Sequence, residues 1–159
     1  MIHILETRMA LGQLYEVDMR LLPGGISGSL VPGVDGFASY QHKSAWTWEH
    51  QALVRARFAA GDPAVAVKVE QVRTQILCEL RDESELAEEV VKMRKRMSEH
   101  LLGDEDTTRF HLKQGSGGIV DIEFMVQYAV LAWAHHHPQQ SRWSDNVRIL
   151  EVLEKESLL

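Results

Sequence analysis

Cysteine is almost absent from this chain: Cys78 is the only one in 159 residues. No internal disulfide can form, so a packed core has to hold the fold, which suits a reducing cytoplasm. An excess of positive charge is missing as well. Seventeen basic against 23 acidic residues give a net charge of -6, so no overall field draws in nucleic acid or an anionic membrane. Nor does any apolar run approach the ~20 residues that span a bilayer, and the first residues do not follow the plan of a signal peptide. The pattern Gly-x-x-x-x-Gly-Lys-Ser/Thr of the phosphate-binding P-loop does not occur. What remains is an ordinary globular balance, 45% hydrophobic and 25% charged, enough for one domain with a core, or for the end of one domain followed by a helical module.

The stretch most like chemistry is Gln13 to Gly25. Its period of two predicts a strand, with Tyr15, Val17, Met19 and Leu21 on one face and Glu16, Asp18 and Arg20 on the other. Residues two apart on a strand are roughly 6.5 to 7 Å apart, and from there two carboxylates can converge on a divalent cation if a third group helps. A solvated face of an antiparallel strand alternates in the same way, so the pattern alone leaves both readings open. Pro23-Gly24-Gly25 then turns the chain, opening a glycine-rich connection to Gly36.

From Asp35 the period lengthens to about three and a half, which divides the chain into 1–34 and a helical 35–159. Helices are predicted over 35–42 and 44–60, the second stopped by Gly61. Asp62-Pro63 restarts the chain as cap and first turn, and Val65, Val69, Val72 and Ile76 form a stripe. Asp82 and Glu85 have capping-box spacing for a helix to about Leu102, seamed by Leu86, Val90, Met93, Met97 and Leu101. On that helix Glu88 and Lys92 make a favourable i,i+4 pair, and Lys92, Arg94, Lys95 and Arg96 read as a solvated basic face. Arg109 to Lys113 reads as a short extended piece. A last helix is capped by Ser144 or Asp145. The start inside a helix, 2–9, and the apolar end Leu158-Leu159 suggest a piece of a longer protein.

A second informative stretch runs from Lys113 through Gly115, Gly117 and Gly118 to Asp121, Glu123 and Phe124. Glycines lead into a helix of about 118–135 that is apolar nearly all round and therefore central. A glycine loop at a helix start suits an anion, but Asp121 and Glu123 already place negative charge there. Residues two apart on a helix point about 200° apart, so these two acids do not share one small ligand. Asp121 with Lys113, or Glu123 with Gln127, are the expected pairings, and stabilisation of the helix start is the competing role. His135, His136 and His137 splay round a helix end and do not converge on a metal, and Trp46, Trp48, Trp133 and Trp143 are expected to pack between helices.

Taken together, Tyr15-Glu16-Val17-Asp18-Met19-Arg20-Leu21 with Pro23, Ala45 to Arg57 around Trp46-Thr47-Trp48-Glu49-His50, Gly61-Asp62-Pro63, Lys113 with Gly117 to Phe124, and Trp143 to Arg148 resemble the glutamine synthetase adenylyltransferases. The resemblance spans nearly the whole chain and is strongest to the C-terminal, adenylylating half of those enzymes. It implies a mainly α fold (α+β overall): a helical bundle preceded by a short β strand or hairpin left from a polymerase-beta-type nucleotidyltransferase domain. It further implies transfer of AMP from ATP to a tyrosine of glutamine synthetase, Mg2+ as the metal, control by the PII signalling protein, a cytoplasmic setting, and no nucleic acid or membrane partner. Asp18 would be the third metal-binding carboxylate of the site, with Glu16 as the other candidate. Arg20, Lys113, Gly117, Gly118, Asp121 and Glu123 would line the nucleotide or substrate cleft. The family's Gly-Ser-x-x-Asp-x-Asp motif does not occur in the chain, and Leu22 stands where an Arg is usual. With one of three acids the chain alone is expected to be inactive. The rival expectation is a non-catalytic helical domain that docks glutamine synthetase or PII, and a zinc hydrolase built on the histidine run and Glu123 is a third.

Overall fold

Apolar side chains recurring every three to four residues fold the described residues beyond Gly33 into six α-helices. These are α1 (Val34–Lys43), α2 (Thr47–Arg55), α3 (Pro63–Leu77), α4 (Glu83–Leu102), α5 (Ile119–Trp133) and α6 (Asn146–Lys155), with one 3-10 turn at Pro138–Arg142. The computed structural model describes Thr7, Arg8, Gly12 and residues 31–102 and 111–159. The strand at 13–21, the turn at Pro23 and most of the glycine-rich connection lie outside the described residues, and Glu16, Asp18 and Arg20 with them. The chain divides into units of residues 1–33 and 34–159. The second unit is mainly helical, with no strand among its described residues.

Three of the helix starts follow from single aspartates. Asp62 accepts from the Ala64 amide at 2.8 Å with Pro63 in the first turn. Asp82 accepts from the Glu85 amide at 2.9 Å, and Asp145, rather than Ser144, accepts from the Arg148 amide at 3.0 Å. In each case a carboxylate satisfies an amide that has no partner within its helix.

The predicted 44–60 helix is cut at both ends, and side chains do the cutting. At the start, the buried Glu49 turns back to accept from the Trp46 amide at 2.8 Å and from the Tyr40 hydroxyl at 2.7 Å. That fixes the corner between α1 and α2 and leaves Trp46 outside the helix. It is 70% exposed, not packed, whereas Trp133 and Trp143 do lie against the core. At the far end, the carbonyls of Leu53 and Val54 are taken by Arg73, from Nε at 2.8 Å and Nη2 at 3.0 Å. Those carbonyls would otherwise receive the next helical amides, so the helix stops at Arg55. Arg73 is itself only 3% exposed and also donates to the Ser141 carbonyl at 2.7 Å. One guanidinium thus joins the end of α2, the middle of α3 and the 3-10 turn.

α5 is the centre of the unit, packing on α2, α4, α6 and the 3-10 turn. Val126, Ala129, Val130, Leu131 and Ala132 are buried there with Val54, Ile76, Leu77, Leu86, Ile149 and Leu153 from its neighbours. One stripe of α5 stays uncovered, however: Ile119, Ile122 and Met125 are exposed. The α3 stripe is buried at Val72 and Ile76 and open at Val65, and the α4 seam is buried at Leu86 and Val90 and open at Leu101. Glu88 and Lys92 do not pair; the i,i+4 contact on α4 is Lys95–Glu99 at 4.0 Å.

Arg81 repeats the pattern of Arg73 at the end of α3. It donates to the carbonyls of Ile76 at 2.7 Å, Glu79 at 3.1 Å and Leu131 at 3.4 Å, tying that helix end to α5. His50 sits beside it. Its Nε2 is 3.0 Å from the Gln41 carbonyl and its Nδ1 3.4 Å from Arg81 Nη2, so the neutral ring carries its proton on Nε2 and accepts at Nδ1. Burial lowers the His50 pKa from 6.5, with the nearby Arg81 charge acting in the same direction and the Gln41 carbonyl against it.

Two outcomes are expected. Arg73→Met, which leaves the buried carbonyls of Val54 and Ser141 without a donor and that of Leu53 with the Ala56 amide alone, lowers stability by at least about 3 kcal/mol in urea unfolding. Glu70→Ala, which removes only the exposed partner of Arg73 at 2.8 Å, costs less than about 1 kcal/mol; equal losses would contradict the clamp. For His50 the folded pKa is the lower one, so its contribution is complete above pH 6.5 and declines as pH falls below it. His50→Gln should flatten that part of the stability profile between about pH 8 and about pH 5. An unchanged slope would show that the ring is not held neutral.

Candidate functional site

The loop before α5 folds on itself through its own backbone. The Gly115 amide donates to the His111 carbonyl at 2.7 Å, the Gly118 amide to Gly115 at 2.9 Å, and the Ile119 and Val120 amides to Leu112 and Lys113 at 3.0 and 3.1 Å. The piece after His111 is therefore a turn, not the extended segment expected at 109–113. Gly117 has φ +77, and a Cβ on Gly118 would stand 2.7 Å from the Leu112 carbonyl oxygen. Both positions require glycine for the shape of the turn.

That shape decides what the helix start can do. Ile119, Val120 and Asp121 have their amides on carbonyls of the same loop, and the Gly117 amide donates to Asp121 Oδ2 at 2.6 Å. No free row of amides is left for a phosphate, although a glycine-rich approach to a helix is where one would look. Asp121 Oδ1 lies 2.5 Å from Arg94 Nε, while Arg94 Nη2 donates to the Gln114 carbonyl at 2.7 Å. Arg94, only 15% exposed, thereby pins the loop to α4. The Gly117 amide and then Arg94 hold the Asp121 carboxyl below its ordinary pKa of 3.8.

Glu123 points the other way. Its Oε1 is 3.3 Å from Arg55 Nη1, and the same nitrogen donates to Asn146 Oδ1 at 2.9 Å, joining α5 to the ends of α2 and α6. The two acids diverge as residues two apart on a helix must, but neither takes the partner expected of it. Lys113 is exposed, with no partner for its ammonium among the described residues, and Gln127 accepts from Gln51 at 3.1 Å. The sequence reading missed Arg94 and Arg55. Arg94 does carry a signal: it falls one turn beyond Val90 and Val91, on the inward edge of α4 and not on its solvated side.

Beside the Arg94–Asp121 pair an open groove of about 680 Å³ runs between α4 and α5, with Val90, Val91, Phe124, Met125 and Tyr128 along its walls. The histidine run does not converge: His135 Nδ1 is 3.1 Å from the Cys78 carbonyl and His137 Nδ1 is 2.8 Å from Glu156. Among the described residues no three His, Cys, Asp or Glu side chains are placed to hold a metal ion, and no helix is long and apolar enough to cross a membrane.

Residues 1–72 match the family model for glutamate-ammonia ligase adenylyltransferase, and residues 85–159 that for GlnD PII-uridylyltransferase. The curated relatives include bifunctional glutamine synthetase adenylyltransferase/adenylyl-removing enzymes. That of Shewanella loihica is 54% identical over 99% of this chain, that of Vibrio parahaemolyticus 55% over 96%, and that of Nitrosococcus oceani 53% over 100%. The chain spans 16% of the length of each of them.

Asp121→Ala should lower stability by about 1–3 kcal/mol at neutral pH. Because the folded carboxyl titrates below 3.8, its contribution is complete above that value and is lost as pH falls through the lower one. The gap between parent and variant in urea unfolding should accordingly narrow in acid. A gap of the same size at about pH 2 would show that the pair with Arg94 does not hold the loop.

Proposed function

This chain belongs to the glutamine synthetase adenylyltransferase family, and from that premise we propose that it is part of an enzyme transferring AMP from ATP to a tyrosine of glutamine synthetase in the cytoplasm, under PII control. The observation that supports this most is identity above one half along essentially the whole chain to proteins of that name. The assignment to the adenylylating half rests on the Trp-Thr-Trp-Glu-His and Val-Asp-Ile-Glu-Phe stretches.

Within the enzyme Asp18 is the third carboxylate for Mg2+, with Glu16 the other candidate on that face. Magnesium, when bound, would supply charge neutralisation on the triphosphate as the tyrosine oxygen takes the adenylyl group and pyrophosphate leaves. The chain itself supplies cations and a frame. Lys113, exposed and without a partner among the described residues, would meet an anionic nucleotide or substrate, and Arg20 would serve the same end. Gly117, Gly118 and Asp121 give the loop its shape and hold it on α4, and so act as positioning residues. Glu123 keeps Arg55 in place across three helices. The chain holds no Gly-Ser-x-x-Asp-x-Asp, so alone it transfers nothing.

A second reading is favoured by the match of residues 85–159 to a PII-uridylyltransferase model. An element shared by two enzymes of different nucleotide and protein substrate suits docking better than chemistry, and the helical unit would then seat glutamine synthetase or PII. An adenylylation assay of the full-length protein distinguishes the two. Asp18→Ala should lower the rate by about 100-fold or more with glutamine synthetase binding intact, and Lys113→Ala should lower it by about tenfold or more with partial rescue by Lys113→Arg. Full activity of Asp18→Ala would overturn the carboxylate assignment, and a Lys113→Ala defect confined to glutamine synthetase binding would favour docking.

A further inference from the structure

The loop before α5 lies in the stretch, 85–159, that matches a model named for uridylyl transfer, whereas the adenylyl match covers residues 1–72. A donor that carries uracil where ATP carries adenine shares with it the ribose and the phosphates. An element common to both kinds of enzyme has nothing constant to read in the base.

Bonding within the loop points the same way. Every backbone carbonyl from His111 to Gly115 is taken: those of His111, Leu112, Lys113 and Gly115 by the amides of Gly115, Ile119, Val120 and Gly118, and that of Gln114 by Arg94 Nη2. Reading adenine takes an acceptor for its exocyclic amine as well as a donor. Gln114, the one amide side chain between 111 and 118, is only 7% exposed, and both oxygens of Asp121 are engaged, by Arg94 and by the Gly117 amide. What the turn offers is donors. Lys113 is exposed, with no partner for its ammonium among the described residues, and the exposed His111 ring accepts the Gln114 amide at Nδ1, 3.0 Å away, which leaves its proton on Nε2. The Lys113 stem also starts from a fixed root, because its own carbonyl and those on either side of it are bonded. A compact ammonium held in this way suits the charge of a phosphate and not the edge of a base.

We propose that Lys113 binds the polyphosphate of the nucleotide and takes no part in recognising adenine, so that the loop before α5 serves a nucleotide of either base. This rests on the reading above that Lys113 lines the nucleotide cleft. It departs from the docking reading of the same family match by naming a ligand that adenylyl and uridylyl donors have in common.

Steady-state kinetics of the full-length enzyme at constant free Mg2+ test it, with inorganic tripolyphosphate and adenosine as separate inhibitors competing with ATP. Lys113→Ala should raise the KM for ATP and the inhibition constant of tripolyphosphate by about tenfold or more, while that of adenosine stays within about twofold. Lys113→Arg, which keeps the charge, should recover most of the loss, and Lys113→Gln, which keeps only hydrogen bonding, should not. Equal weakening of tripolyphosphate and adenosine would mean that the side chain reads the whole nucleotide or merely steadies the loop, and would overturn the proposal while leaving Lys113 in the cleft. A Lys113→Ala variant with both inhibition constants and the KM unchanged takes Lys113 out of the cleft altogether, overturning the proposal and the reading it rests on; a defect seen only in glutamine synthetase binding does the same in favour of docking.

Discussion

A guanidinium buried among carbonyls is the constraint on which the helical unit depends. Arg73 reaches Leu53, Val54 and Ser141 from a position almost sealed from solvent. A helix end inside a protein leaves carbonyls that water cannot reach, and each unsatisfied one costs about 1–3 kcal/mol. The planar fork of arginine suits this task better than a lysine ammonium, because its donors are fixed in direction before any bond forms. Arg81 does the same for the end of α3, and Arg94 for the loop before α5. The three arginines mark the places where α2, α3 and the loop stop, and they make those stops compatible with burial. The apolar core then closes around α5, which packs on α2, α4, α6 and the 3-10 turn.

The same device shapes the candidate site. With the loop amides spent on its own carbonyls and on Asp121, the start of α5 becomes a rigid corner instead of an anion cradle. Rigidity there leaves the exposed side chains as the groups able to meet a ligand, and among the described residues of the loop Lys113 is an exposed cation with no partner for its ammonium. Asp121 and Glu123, though only two residues apart, belong to two separate networks, one reaching α4 and the other α2 and α6. A change at either acid would therefore move a different neighbour, which separates loop placement from helix docking in a way that two acids on one ligand would not.

Much of the fold was legible because its signals are local. Asp62, Asp82 and Asp145 each cap within three residues of themselves, so spacing alone locates three helix starts. The period of α5 likewise announces its central place. What spacing could not show is anything decided from afar. The 44–60 helix looked longer than it is because the donor that ends it sits twenty residues on, at Arg73. Trp46 looked like core, yet Glu49 turns the corner so that the ring faces solvent. For the site, the divergence of Asp121 and Glu123 followed from helical geometry, but their partners, Arg94 and Arg55, lie 27 and 68 residues away. Arg94 was hidden among a run of basic residues whose other members do face water. The metal-binding role of Asp18 rests on the resemblance of its strand, since that residue lies outside those the structure describes.

The arginine clamps are tested most directly by side-chain nitrogen NMR of the chain in solution. A guanidinium held by buried carbonyls exchanges its Nε proton slowly and keeps a resolved, shifted signal, whereas a mobile surface arginine exchanges quickly and collects near the random-coil position. Arg73 and Arg94 should each give a separate, protected Nε–H signal with contacts to the Leu53 and Asp121 regions respectively. If both fell instead within the averaged signal of exposed arginines such as Arg96, the buried carbonyls would have other partners and the clamps would not be what ends these helices.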